Sequence, residues 1–124
     1  MVRSRRILIV EDDDSGREAL ALLLAEEGYA IDTARNGIEA LALVDLRPPD
    51  LIVSDILMPH AGGLELAARL RADDDWARIP IMLVTAWGEP RAVPAGLEDL
   101  AQSSVHKPID FDGLLDRIQA ELTG

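Results

Sequence analysis

Four short apolar runs in this chain each end in a residue able to do polar chemistry. Ile7-Leu8-Ile9-Val10 runs into Glu11, Asp12 and Asp13, and Leu51-Ile52-Val53-Ser54 runs into Asp55. Ile81-Met82-Leu83-Val84 runs into Thr85, and the weaker Ser103-Ser104-Val105-His106 runs into Lys107-Pro108. If the runs are parallel strands, these groups meet at one edge of one sheet. Open α/β sheets bind ligands outside that carboxyl edge. The carboxylates of Glu11, Asp12 and Asp55, the Thr85 hydroxyl and the Lys107 ammonium would then share a pocket. Such a set can hold a divalent cation and a phosphoryl group. Oxygen ligands without thiols or a histidine cluster select a hard cation, and Mg²⁺ is the obvious one.

Taken singly, each of these residues has a bland reading. Asp12 or Asp55 can cap a helix or loop, Thr85 can simply end a strand, and Lys107 can be a solvated lysine. The set argues otherwise, because crowded carboxylates repel one another by roughly a few kcal/mol unless a cation or Lys107 offsets them. For Asp13, a surface role and support of the site are equally open. His60 and His106 read as surface residues, and Asp73-Asp74-Asp75 reads as a solvated run closing a helix.

The elements that must position the site follow from hydrophobic spacing. Runs of four apolar residues without alternation suit strands covered on both faces. Between them lie helical patterns. Ser15-Gly16-Arg17-Glu18 reads as a capping box, followed by Leu20, Leu23 and Leu24, with Gly28 as the stop. Tyr29 to Ala34 suits an outer strand. Asn36 and Glu39 repeat the cap pattern, and Ile38, Leu41 and Val44 supply an apolar face that ends at Pro48-Pro49. A third helix is expected from about Leu64 to Arg71, with Leu64, Ala67, Ala68 and Leu70 as its stripe. Trp76 and Ile79 lead into the next strand. A last helix runs from about Phe111 to Leu122, with Phe111, Leu114, Leu115, Ile118 and Leu122 inward. The segment from Trp87 to Leu100 stands where a crossover helix belongs, yet it contains Gly88, Pro90, Pro94 and Gly96. Proline inside a helix costs about 3 kcal/mol or more, so a short or broken helix is expected there. Strand and helix alternating five times predicts an α/β fold, a doubly wound five-stranded parallel sheet.

Composition narrows the function. At 124 residues the chain reads as a single domain over 1–124. It has no cysteine, which excludes disulfides and thiolate metal sites. The basic start is followed by only four apolar residues before Glu11, too few for a signal peptide or a membrane span, so no membrane association and a cytoplasmic location are expected. Acidic residues outnumber basic ones 23 to 12, for a formal net charge of −11. That field repels nucleic-acid phosphates, so direct nucleic-acid binding is not expected. Arg3, Arg5 and Arg6 read as a solvated basic terminus.

In these motifs the chain resembles the receiver domain of bacterial two-component response regulators, over essentially its whole length. The matching residues are Glu11-Asp12, Asp55 with Met58-Pro59 and Gly63 behind it, Thr85-Ala86, and Lys107-Pro108. The resemblance implies a flavodoxin- and CheY-like (βα)5 fold with strand order 2-1-3-4-5. It implies that Asp55 is the phosphoacceptor and takes a phosphoryl group from a sensor histidine kinase or phosphotransfer protein. Asp12, Asp55 and the backbone carbonyl of Leu57 would hold Mg²⁺, with Glu11 contributing through a water. Lys107 would pair with the phosphate or with Asp55. The Thr85 hydroxyl and the backbone N–H of Ala86 would donate to the phosphoryl oxygens. A downstream protein or output domain would read the change, and a phosphorylation-dependent homodimer is a further expectation. The domain would catalyse its own phosphoryl transfer and dephosphorylation without being an enzyme for a separate substrate.

The chain departs from the family pattern in three places. Ser104 stands where many receivers carry an aromatic switch residue, Leu100 stands where glycine is common, and the Pro/Gly-containing segment lies on the signalling face. Trp87 either substitutes for the missing aromatic or packs at an interface. Ordering of the Trp87–Leu100 segment is the expected switch, and Leu57 and Trp87 are expected to slow loss of the phosphate. Two other classes compete with this reading. A pseudo-receiver would use the same fold as a constitutive interaction module, which the retention of Asp55, Thr85 and Lys107 argues against. A phosphotransferase of the haloacid dehalogenase type would need Asp-x-Asp, and the second residue after Asp55 is Leu57. No Walker A loop is present.

Overall fold

The structure, a computed structural model, describes residues 5–55, 63–85, 105–106 and 110–123. Among the described residues five strands are seen: β1 Arg6–Val10, β2 Ala30–Ala34, β3 Leu51–Asp55, β4 Ile81–Thr85 and β5 Val105–His106. Four helices accompany them: α1 Asp14–Glu26, α2 Gly37–Leu46, α3 Gly63–Arg71 and α4 Phe111–Thr123. All strand pairs are parallel, in the order β2-β1-β3-β4-β5. The chain steps outward from β1 to β2, then returns past β1 to begin β3. The order therefore reverses between β1 and β3, and a crevice opens outside the carboxyl ends of these two strands.

Successive strand residues point to opposite faces, so each apolar run feeds two cores. Leu8, Val10, Ile52, Ile81 and Leu83 pack with Ala40 and Val44 of α2 and Leu66, Ala67 and Leu70 of α3. Ile7, Ile9, Leu51, Val53, Met82 and Val84 pack on the other face with Leu24 of α1 and Leu114 and Ile118 of α4. This is why the runs do not alternate in hydropathy: both faces are covered.

Helix starts and faces differ in places from the sequence expectation. The α1 cap is Asp13, not Ser15: its carboxylate accepts from Gly16 N at 2.7 Å. Gly16 permits that approach, since a Cβ there would stand 2.9 Å from the same oxygen. The helix ends at Glu26, and Gly28 just beyond its cap Glu27 has a φ of +98°, which suits glycine. Asn36 caps α2 as expected, accepting from Glu39 N at 2.9 Å, while Glu39 reaches back to Arg35 N at 3.0 Å. The inward face of α2 is Gly37, Ala40 and Val44, and Ile38 is 64 % exposed. Glycine and alanine let this helix sit close to the sheet, and Ile38, one residue round, is turned out. In α3, Leu66 rather than Ala68 shares the inward face with Ala67 and Leu70. Trp76 and Ile79, which lead into β4, pack against the same core. Asp73 accepts from Asp75 N at 2.8 Å, so the acidic run forms a local turn.

At the opposite edge of the sheet Arg6 of the basic terminus is engaged, not merely solvated, while Arg3 lies outside the described residues. Arg6 and Arg47 both pair with Asp32, at 3.0 and 3.1 Å, and Arg6 N donates to Asp50 at 2.7 Å. These contacts tie β1 to β2 and to the loop before β3. The expectation of a broken fourth crossover helix over 87–100 lies outside the described residues. Among the described residues no helix is long and apolar enough to cross a membrane.

Candidate functional site

The site is built where β1 and β3 end. Glu11 directly follows β1, and its amide donates to Ala34 O at 3.0 Å, which keeps it beside the end of β2. Asp12 follows and is exposed, whereas Asp55, the last residue of β3, is 6 % exposed. Glu11, Asp12 and Asp55 each offer a carboxylate oxygen, and these oxygens lie within 4.8 Å of one another. The residues come from distant parts of the chain, and the β1–β3 register, with Val10 opposite Ser54, brings them together.

The cluster suits a hard cation. Oxygen ligands sit about 2.1 Å from Mg²⁺, so two opposite ligands are separated by roughly 4.2 Å. Adjacent ligands lie closer, at about 3.0 Å, so three carboxylates within 4.8 Å of one another can converge on one ion by side-chain adjustment or through a water bridge. Among the described residues no nitrogen or sulfur ligand joins the group, so the donor set fits Mg²⁺ better than a softer metal.

Backbone contacts hold the ligands in place. The fully buried Ser54 hydroxyl donates to the Asp55 carbonyl at 3.1 Å. Asp13 N donates to the Glu11 carboxylate at 3.3 Å, while the Asp13 side chain is occupied in capping α1. Asp12 is thereby left out of the helix cap and faces the site. Arg17 Nη1 donates to the Glu11 carbonyl at 3.0 Å.

Thr85 ends β4 one residue beyond Val84, the register partner of Asp55, and stands opposite His106 of β5. Its backbone thus reaches the same edge as Asp55. Leu57, Ala86 and Lys107 lie outside the described residues, as do Trp87, Leu100 and Ser104. Sequence reasoning missed Arg17 and Ser54. A signal existed for Arg17, because a cation in the first turn of a helix opposes the macrodipole and implies a specific partner.

The family model of the response regulator receiver domain matches residues 7–119. Response regulator MprA from Mycobacterium sp. (strain KMS) is 38 % identical over 117 residues, covering 94 % of this chain and 50 % of that protein. The chain thus spans about half the length of the curated relatives it matches. Among solved structures, a candidate response regulator from Chloroflexus aurantiacus superposes with a TM-score of 0.88 at 34 % identity, covering 98 % of this chain and all of that one. The receiver domain of a signal transduction histidine kinase from Syntrophus aciditrophicus gives 0.83 at 34 % identity, covering 98 % of this chain and 92 % of that one. A match of that extent, on a fold shared from end to end, means that this chain belongs to the response regulator receiver domain family of two-component systems.

Proposed function

We propose that this receiver accepts a phosphoryl group on Asp55, in a Mg²⁺-dependent reaction, from a sensor histidine kinase or phosphotransfer protein. The observation that carries the reading is the approach of the Glu11, Asp12 and Asp55 carboxylates to within 4.8 Å at the switch point of the sheet. An Asp55 oxygen attacks the phosphorus, the P–N bond to the donor histidine breaks, and the imidazole leaves with its electron pair and takes up a proton. Bound Mg²⁺ would neutralise charge on the transferring phosphoryl oxygens. Asp12, Asp55 and the Leu57 carbonyl would hold the ion directly, and Glu11 would do so through a water. Lys107 pairs with the phosphate, and the Thr85 hydroxyl and Ala86 N–H donate to its oxygens.

The output rests on a face that includes the last strand and the last helix; the 87–100 segment that would switch it lies outside the described residues. With Ser104 in place of an aromatic, ordering of the 87–100 segment carries the signal to a downstream protein, an output domain or a second copy. The chain acts on itself alone, as phosphoacceptor and in its own dephosphorylation, and works in the cytoplasm. Its net charge of −11 disfavours direct contact with nucleic acid.

The test is incubation with Mg²⁺ and phosphoramidate, followed by intact mass, with Asp55→Ala alongside. The expected result is a single phosphate adduct in the wild type, absent from the variant and abolished by EDTA. Failure to bind Mg²⁺ or to form an adduct, even with a phosphorylated kinase as donor, would favour a pseudo-receiver.

A further inference from the structure

We propose that Arg17 is a positioning residue for the acidic site: its guanidinium holds the Glu11 carbonyl and thereby sets Glu11 and Asp12 for a divalent cation. The inference rests on the metal-dependent reading above and deepens it.

Three residues, Glu11 to Asp13, join β1 to α1, and two of them carry site carboxylates. So short a loop is set by what grips its backbone. On one side Glu11 N is held by Ala34 O of β2 at 3.0 Å. On the other, Glu11 O is held by Arg17 Nη1 at 3.0 Å. Both peptide groups of Glu11 are thus tied, one to β2 and one to α1.

Arg17 is also placed as a residue with a job. Its side chain is 12 % exposed, whereas its ion-pair partner Asp14 is 75 % exposed and contacts Arg17 Nη2 at 2.5 Å. A pair to so exposed a carboxylate gives little reason to bury a guanidinium. The first turn of a helix also disfavours a cation, because it adds to the positive end of the macrodipole. The contact with the Glu11 carbonyl accounts for both. The guanidinium fork reaches the carbonyl from one nitrogen and Asp14 from the other, which the single nitrogen of a lysine would not reproduce.

The sign of the metal response separates positioning from charge. A guanidinium near the cluster repels a cation, so if only its charge mattered, removing it would tighten Mg²⁺ binding. If it positions the loop, removing it weakens binding, as loss of supporting contacts around metal ligands does.

The experiment compares wild type, Arg17→Ala and Arg17→Lys. Mg²⁺ affinity is measured by calorimetric titration, and amide exchange of Glu11 to Asp14 is measured without metal, with α4 amides as an internal control. The expected result is a Kd for Mg²⁺ raised about tenfold in Arg17→Ala. Exchange should accelerate at Asp12 and Asp13 but not in α4, and Arg17→Lys should fall between. Mg²⁺ binding in Arg17→Ala as tight as in the wild type, or tighter, would overturn the proposal. So would unchanged exchange in the loop. Should Arg17→Ala fail to fold, Arg17→Lys decides by the same two readouts, and equality with the wild type in both sinks the idea. A wild type that binds no Mg²⁺ would count against the proposed function, while the metal-free exchange would still decide whether Arg17 anchors the loop.

Discussion

The hydroxyl of Ser54 donates to the carbonyl of Asp55, the next residue, from a fully buried position in β3. Ser54 stands opposite Val10 and Leu83, so it is a polar group among apolar neighbours. A buried hydroxyl is tolerated when it has a partner, and here the partner is the backbone of the proposed acceptor. Ser54→Ala should cost about 1 kcal/mol by urea unfolding. Ser54→Val should cost about 1–3 kcal/mol by overpacking. An unchanged midpoint in Ser54→Ala would show that the bond contributes nothing net.

The acidic cluster should destabilise the metal-free fold. Asp12 is exposed, so its repulsion with Glu11 and Asp55 is partly screened. Asp12→Asn should therefore raise stability by about 1 kcal/mol in EDTA, the scale of a solvent-screened charge contact. The same variant should lose the stabilisation by Mg²⁺, which in the wild type should reach about 2.7 kcal/mol at a hundred times Kd. Thermal melts with Mg²⁺ and with EDTA read both effects. A melt of Asp12→Asn that still rises with Mg²⁺ would remove Asp12 from the ligand set.

Two isoleucines should behave oppositely. Ile9 is fully buried between α1 and α4, and Ile38 is 64 % exposed. Ile9→Ala should cost about 2–5 kcal/mol. Ile38→Ala should stay within about 0.5 kcal/mol, as surface changes do. Urea midpoints at matched protein concentration decide it.

Glu39 should supply a small, pH-dependent contribution. Its hydrogen bonds to the Arg35 amide and then to the Arg35 side chain hold its carboxyl below the ordinary range, and the charges of Arg35 and Arg17 add to this. A carboxyl lowered in the folded state stabilises above its unfolded pKa, and that stability is lost as pH falls through the folded pKa. Glu39→Gln should therefore be less stable than the wild type at about pH 7, with the gap closing in acid below about pH 4. A gap that persists at about pH 3 would show that packing, not ionisation, separates the two.

Much of the fold was legible because the information is local. An unbroken apolar run of four residues reports burial on both faces. A polar residue directly after it reports the carboxyl edge. Glu11, Asp12 and Asp55 could therefore be named before any geometry was known. The Asn36 cap was legible for the same reason, since its acceptor and the Glu39 amide lie three residues apart.

Tertiary structure decided what depends on rotation and on distance along the chain. The α2 segment is apolar almost all round, so periodicity does not say which side turns in. Close packing against the sheet selected Gly37, Ala40 and Val44 and turned Ile38 to solvent. Ser15 and Asp13 are both capable caps, and only the course of the chain out of β1 chose Asp13. No local pattern could report that Arg17 reaches the Glu11 carbonyl, or that Asp55 meets Glu11 and Asp12. The sequence by itself determined which residues could do chemistry and that they end strands. The strand order, which sets β3 beside β1, determined that Glu11, Asp12 and Asp55 stand together.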